Sequence, residues 1–365
     1  MRAVVFRGVD APIEVTEVHL DAPRSHEVLV RIAAAGVCHS DLHVVRGEWT
    51  RRLPTVLGHE GSGTVVEVGP DVTTLTPGDH VVLSWVAPCG ECRHCRAGVE
   101  ARCEVAARVV GPTGGLNDGT TRLSVDGLPA YHYLAVSSYA EYAVVPESGA
   151  IKVRDDAPLD LIALVGCAVA TGVGAVRNTA KVEPGSTVVV IGCGGVGLSV
   201  VQGARLAGAA RIVAVDLRQD KVDLALTLGA TDAVVGTGDQ LDVWLRDLLP
   251  DGADYAFDAI GRTSTTEQAI RLLGLGGTAV VVGIPPEGSS ASFDPLVLVE
   301  LDQRILGSNY GGIRPAVDIP QLVDLVMSGD LRLEEMVSAR RPLDEAATAL
   351  DDLASGATLR QLLIP

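Results

Sequence analysis

The chain has 365 residues, 47% of them hydrophobic, and a formal net charge of -17. That length allows about two domains with large cores. The acidity argues against nucleic acid or an anionic membrane surface as a partner. No apolar run approaches the roughly 18 residues of a membrane span. The opening stretch, Met1-Arg-Ala-Val-Val-Phe-Arg-Gly8, turns charged too soon for a signal peptide, so the expectation is a soluble cytoplasmic protein. Seven cysteines in such a chain point to metal ligands or reactive groups rather than disulfides.

In chain order, residues 3–6, 13–18 and 27–32 are short β-like runs separated by turns, an antiparallel start. Next comes Gly36-Val-Cys-His-Ser-Asp-Leu-His43 and, after a loop, Gly58-His-Glu-Gly-Ser-Gly63. Cys38 and His59 are ligand types that zinc accepts. Taken alone, they are equally compatible with a buried thiol and a satisfied histidine. Cys89, Cys92, Cys95 and Cys103 then follow in steps of 3, 3 and 8. Their loop is built of glycine and charged residues and cannot bury a core of its own. Four thiolates around a tetrahedral zinc would fold it, and such a site keeps no open position for chemistry. Residues 104–135 read as a long loop with hairpin-like pieces, residues 139–145 as a strand, and residues 160–172 as a helix carrying Cys167.

The strongest single feature is Val188-Val-Val-Ile-Gly-Cys-Gly-Gly-Val-Gly197. An apolar β-branched run, a glycine turn and a helical pattern to about Leu206 form a strand–turn–helix unit. In that context, G-x-G-x-x-G binds a dinucleotide. Gly192 permits the tight turn, Gly194 a close backbone approach to pyrophosphate, and Gly197 close packing of helix on strand. The helix N-terminus offers free N–H groups to the phosphates. Residues 211–216 read as the next strand and end in Asp216, placed to accept ribose hydroxyls. Cys193, inside the turn, reads as packing. Strands are expected at 187–191, 212–216, 233–235, 255–258, 278–282 and 303–307, with helices at 221–228 and 265–273 among them. The pattern is a six-stranded, doubly wound parallel sheet. Helices at 318–327 and 343–353 and a strand at 359–364 complete the chain.

These residues carry a family resemblance over nearly the whole length. The chain resembles the zinc-dependent medium-chain alcohol dehydrogenases, in the long-loop branch that includes the class III formaldehyde dehydrogenases. Cys38-His-Ser-Asp with Gly58-His-Glu-Gly resembles the family's catalytic-zinc signature. The four-cysteine steps resemble its structural-zinc lobe, Gly192-Cys-Gly-Gly-Val-Gly197 its nucleotide turn, and Ser355-Gly-Ala-Thr-Leu-Arg360 its C-terminal segment. The implied fold is a Rossmann domain at 168–308 and a mostly β, GroES-like catalytic domain at 1–167, to which 309–365 returns.

The resemblance also implies roles. Cys38, His59 and Cys167 would hold a catalytic zinc with Glu60 beside it, and Cys89, Cys92, Cys95 and Cys103 a structural zinc. Asp41 would fix the His59 tautomer. Ser40 would accept the alcohol proton and pass it on toward His43. Zinc would act as a Lewis acid on the alcohol oxygen, and hydride would pass to NAD. Gly192, Gly194, Gly195, Val196, Gly197 and Thr171 would contact the cofactor, as would Ile260 and Val282. Asp216 and Lys221 would hold the adenosine ribose, and His39 and Arg360 the pyrophosphate. Asp216 favours NAD because its carboxylate repels a 2′-phosphate. Trp49, Trp85, Tyr133 and Asn309 fall near the substrate pocket, which implies primary alcohols, aromatic or allylic ones among them. A homodimer through residues 296–310 is also implied.

The chain departs from the glutathione-dependent members. Their acidic pair before Gly-His-Glu is replaced by Arg46-Gly-Glu-Trp-Thr-Arg-Arg52, and Arg108 stands one place off their arginine. The alternatives are oxidation of a thiol adduct of formaldehyde, a biosynthetic aldehyde reductase, and a non-catalytic nucleotide-binding relic.

Overall fold

The computed structural model describes residues 1–365, apart from the side chains of residues 239, 240 and 242. Two compact units emerge: Met1–Cys167 with Ile313–Pro365, and Ala168–Gly312.

The first unit is built on Glu27–Gly36, a ten-residue strand. It pairs with Gly61–Val68, Tyr142–Pro146 and Arg360–Ile364 in a seven-stranded sheet. The strand's alternation turns Val28, Val30 and Ile32 inward, where they pack with Val65, Val81, Leu83, Ala143 and Val145. Each Val, Leu or Ile among them contributes about 1.5–3 kcal/mol on burial. A six-stranded sheet that includes Arg2–Phe6, Thr55–Val56 and Leu128–His132 lies in the same unit. The helix Ala346–Ala354 buries Ala346, Ala349, Leu350 and Leu353, one face at helical spacing. That face packs into a cluster with Val37, Leu42, Trp49, Leu57, Tyr133 and Tyr139, and so braces the segments that carry Cys38 and His59.

The second unit holds a six-stranded sheet. Its order is Asp232–Val235, Arg211–Asp216, Thr187–Ile191, Ala253–Asp258, Leu273–Val281 and Arg304–Gly307, with every pair parallel. The strand order reverses beside Thr187–Ile191, the switch point at which doubly wound sheets bind ligands. Val189, Ile191, Val213 and Val215 are buried together with Leu241, Leu245 and Ala256, as expected for strands covered on both faces.

The differences from the sequence reading are local. The segment expected as one helix over 160–172 is broken. Leu159–Ile162 is α-helical, Ala163–Gly166 is a 3-10 turn, and Cys167 has φ -141 and ψ -75 before a new helix at Ala168–Gly174. Residues 104–135 contain a π-helical turn at Ala106–Val110 and an antiparallel pair, Leu123–Val125 with Leu128–His132. The strand expected at 278–282 starts earlier, at Leu273, and ends at Val281, so Val282 sits just past its end. Residues 310–312, read from the sequence as part of the return segment, pack against Ala168–Gly174 and lie in the second unit. Among the described residues, no single helix is long and apolar enough to cross a membrane.

Candidate active site and metal centres

In the first unit three distant segments converge. Cys38 stands at the N-cap of the short helix His39–Val45 in extended conformation. His59 and Glu60 directly precede the strand Gly61–Val68, and Cys167 occupies the break just described. Cys38, His59, Glu60 and Cys167 are all buried, and their ligand atoms lie within 4.8 Å of one another. The Nδ1 of His59 is 3.1 Å from Oδ2 of Asp41, off the line of an ideal hydrogen bond, and its Nε2 has no hydrogen-bond partner. Asp41 is itself fixed, accepting the Gly58 N–H at 2.9 Å and the Tyr139 hydroxyl at 3.2 Å.

Electrostatics make this a donor set. A hydrogen bond from Cys167 holds the Cys38 thiol well below its usual range, against the opposing effect of burial. The same bond, together with burial, raises Cys167. Burial pushes His59 down, but Asp41 and Cys38 outweigh it and hold it above its ordinary value. Two cysteine sulfurs, which zinc binds as thiolates, and a carboxylate-oriented imidazole nitrogen with no hydrogen-bond partner are the donors zinc takes, with a position left over. The residues fit the metal.

Glu60 is pushed up to about 7 by burial, against the pull of Arg360. Arg360 forms a buried ion pair with Glu60. The sequence reading puts Arg360 at the pyrophosphate. Here it stands beside Glu60 and the sulfurs, whose charges outweigh burial and raise it.

Around the cluster, the Sγ of Cys38 is 3.8 Å from the Ser40 hydroxyl, and the Ser40 carbonyl accepts the Tyr133 hydroxyl at 2.8 Å. The Tyr133 ring meets His59 edge-on at 5.4 Å. His43 stacks on Trp49 at 4.4 Å, and its Nδ1 contacts Glu48. Two neighbours were not singled out as site residues in the sequence. Glu48 lies five positions after His43, a spacing with no motif behind it. Arg51 sits with its guanidinium carbon 5.7 Å over the Trp49 ring and 6.0 Å over that of Tyr133. Trp85 packs on the core of the seven-stranded sheet. His39 and Arg108 are exposed in the first unit, while Asn309 is exposed in the second.

The second cysteine cluster is local. The ligand atoms of Cys89, Cys92, Cys95 and Cys103 also lie within 4.8 Å of one another. Backbone N–H groups of Cys89, Cys92 and Cys95 point at the sulfurs of Cys103, Cys89 and Cys92, at 3.3–3.4 Å. Hydrogen bonds from the backbone of Glu104 and Cys95 bring Cys92 down to about 6. Four sulfurs with thiolate-stabilising amides fit a closed tetrahedral zinc.

In the second unit, Gly192 has φ +95, and a Cβ on Gly197 would stand 1.7 Å from the Gly192 carbonyl oxygen. The turn therefore needs glycine at both places. It delivers the chain into the helix Gly195–Leu206, which begins with Gly195 and Val196. Asp216 ends its strand with its carboxylate held by the N–H groups of Cys193, Leu217 and Arg218 at 2.7–3.1 Å. Lys221 lies in the next helix, Gln219–Leu228. Ile260 packs against Gly192, and Val282 donates to the Asp258 carbonyl at 3.0 Å. Thr171 is buried in the helix Ala168–Gly174. Cys193 is buried, with its sulfur on the Val215 carbonyl at 3.7 Å.

A two-unit, metal-binding and dinucleotide-binding enzyme is the class these features define, and comparison with known proteins places it. Residues 24–155 match the alcohol dehydrogenase GroES-like domain, and residues 195–328 match the zinc-binding dehydrogenase domain. The chain is 40% identical to an S-(hydroxymethyl)glutathione dehydrogenase of Escherichia coli O139:H28, over 99% of each chain. It is similar to an alcohol dehydrogenase zinc-binding domain protein from Burkholderia ambifaria, with TM-score 0.95, 40% identity and coverage of 100% and 98%. A benzyl alcohol dehydrogenase from Acinetobacter calcoaceticus gives TM-score 0.93 and 35% identity, with the same coverage. The chain belongs to the zinc-dependent medium-chain alcohol dehydrogenase family. It is an NAD-dependent oxidoreductase with an alcohol or aldehyde as its small-molecule substrate.

Proposed function

We propose that this chain oxidises primary alcohols, aromatic and allylic ones among them, to aldehydes with NAD in the cytoplasm, and also runs the reduction. The observation that carries this reading is the buried convergence of Cys38, His59 and Cys167 beside Tyr133. Zinc held there supplies Lewis acidity at the substrate oxygen. The chain's own residues do the rest. Asp41 keeps the His59 ring oriented. Tyr133 ties down the Ser40 backbone, so that the Ser40 hydroxyl stays beside Cys38 and takes the alcohol proton. His43, stacked on Trp49 and partly exposed, hands that proton toward solvent. Glu60 and Arg360 keep the cluster dry and charge-balanced from behind.

NAD docks on the turn Gly192, Gly194, Gly195, Val196 and Gly197, with Thr171, Ile260 and Val282 near it. Asp216 and Lys221 hold the ribose hydroxyls, and the fixed Asp216 carboxylate disfavours a 2′-phosphate. Trp49, Trp85 and Tyr133 belong to the pocket. Two copies pair through the exposed apolar surface of Leu296, Val297 and Val299 beside the edge strand Arg304–Gly307. The domain division we adopt follows the two compact units, 1–167 with 313–365, and 168–312.

The direct test is reduced-nicotinamide absorbance with a panel of alcohols, with NAD or NADP, before and after a chelator. We expect chelator-sensitive turnover with NAD and benzyl alcohol. Turnover with NADP alone contradicts the Asp216 assignment. A second reading, oxidation of the formaldehyde–glutathione adduct, is favoured by the 40% identity to a protein of that name over 99% of both chains. Formaldehyde with and without glutathione separates it from the first.

A further inference from the structure

The stretch Arg46–Arg52 concentrates three arginines and one carboxylate in a chain whose formal net charge is -17. The one carboxylate, Glu48, is engaged by His43. Arg51 has no carboxylate partner among the described residues. Its Nη1 donates to the Thr50 carbonyl at 2.7 Å, and its Nε is buried with no hydrogen-bond partner. The neighbours that hold it are two aromatic rings, Trp49 at 5.7 Å and Tyr133 at 6.0 Å.

Aromatic faces attract a cation but accept little from its N–H groups, and a guanidinium carries five of them. Arg51 is thus positioned with donors to spare. Both of its rings lead back to the reaction site. Trp49 stacks on His43, and Tyr133 meets His59 edge-on while bonding the Ser40 backbone. One ring separates the guanidinium from each of the groups that handle the alcohol. A planar guanidinium in such a place matches a carboxylate with two parallel N–H···O bonds.

We propose that Arg51 is the receptor for a carboxylate carried by the substrate. The preferred substrates are then hydroxymethyl or formyl compounds bearing a carboxylate across the molecule from the reacting carbon, 4-(hydroxymethyl)benzoate being the simplest aromatic example. This rests on the alcohol dehydrogenase reading above and specifies its substrate class. The exposed cations Arg46 and Arg52 add attraction at longer range.

The experiment compares kcat/KM for 4-(hydroxymethyl)benzoate, its uncharged amide and benzyl alcohol, in wild type and in Arg51→Gln and Arg51→Lys. Calorimetric binding of benzoate against benzamide to the zinc- and NAD-loaded protein is read alongside. We expect the acid to beat the amide by tenfold or more in wild type, mostly through KM, and the preference to weaken in high salt. In Arg51→Gln the acid-to-amide ratio falls to near one, with Arg51→Lys intermediate, and benzoate loses its binding advantage. Equal use of acid and amide by wild type, or an equal loss for both in Arg51→Gln at unchanged Tm, overturns the proposal and leaves Arg51 as a clamp on two rings. If wild type oxidises none of the three, the function reading fails instead, and the benzoate-against-benzamide binding still decides Arg51. Formaldehyde plus glutathione supplies the other carboxylate-bearing source. Turnover of that mixture that depends on Arg51, without turnover of 4-(hydroxymethyl)benzoate, assigns the carboxylate to a thiol adduct.

Discussion

The two cysteine clusters of the first unit use the same element and differ in almost everything else. Cys89, Cys92, Cys95 and Cys103 come from one short loop, point four sulfurs inward and take their support from backbone amides. Cys38, His59 and Cys167 come from three segments, keep a carboxylate–arginine pair beside them, and leave an imidazole nitrogen unpaired. A closed set of four thiolates can only hold a fold together. A mixed set with a spare position and a proton path can do chemistry.

Removing a ligand from each cluster should therefore give opposite phenotypes. His59→Ala or Cys38→Ala is expected to lower kcat by about a thousandfold or more while the chain stays folded, with zinc content falling by one per chain. Cys95→Ala removes the other zinc and lowers Tm first, activity following the fraction folded. Metal analysis alongside thermal melting checks both. Next in size is Asp41→Asn, which keeps the shape but weakens the hold on the His59 tautomer. A 10–100-fold loss in activity or metal affinity is expected, read by activity at varied free zinc. No effect would put the orientation of His59 down to packing alone.

A smaller effect separates the polypeptide from its metals. His132 is buried, accepts the Arg122 N–H at 3.1 Å on its Nε2, and is pushed down to about 3, chiefly by burial and then by the Arg122 charge. The unfolded chain takes up this proton near pH 6.5 and the folded chain does not. Between about pH 6.5 and 3 the unfolded state binds more protons, so stability falls as pH falls through that window, by a few kcal/mol. Thermal melts of metal-free wild type and His132→Gln against pH should show the slope flattened in the variant. An unchanged slope would assign the acid sensitivity to other groups.

The contrast between the clusters also explains how much the sequence alone could tell. The four-cysteine loop is legible because spacing is its geometry: steps of 3, 3 and 8 bring the sulfurs together without help from the rest of the fold. The nucleotide turn is legible for the same reason, since a φ of +95 at Gly192 and a contact of 1.7 Å at Gly197 leave glycine no substitute. Cys38, His59 and Cys167 are not legible from spacing. They meet only when the long strand Glu27–Gly36, its neighbours and the break at Cys167 are in place, and family resemblance supplied the link. That break was itself hidden, because 160–172 is apolar enough to read as one helix. The Arg360–Glu60 pair was hidden in the same way, since it joins positions 300 apart in the chain. Arg51 and Glu48 escaped because a cation over two rings and a carboxylate on a histidine leave no pattern in the sequence.

The most direct measurement follows NADH formation from benzyl alcohol together with zinc content per chain as a chelator strips the metal slowly. We expect two zincs at the start, and activity that disappears in step with the loss of one of them while the protein stays folded. Full activity in a chain that holds only the zinc of the four-cysteine loop would contradict the assignment of Cys38, His59 and Cys167 as the reaction centre.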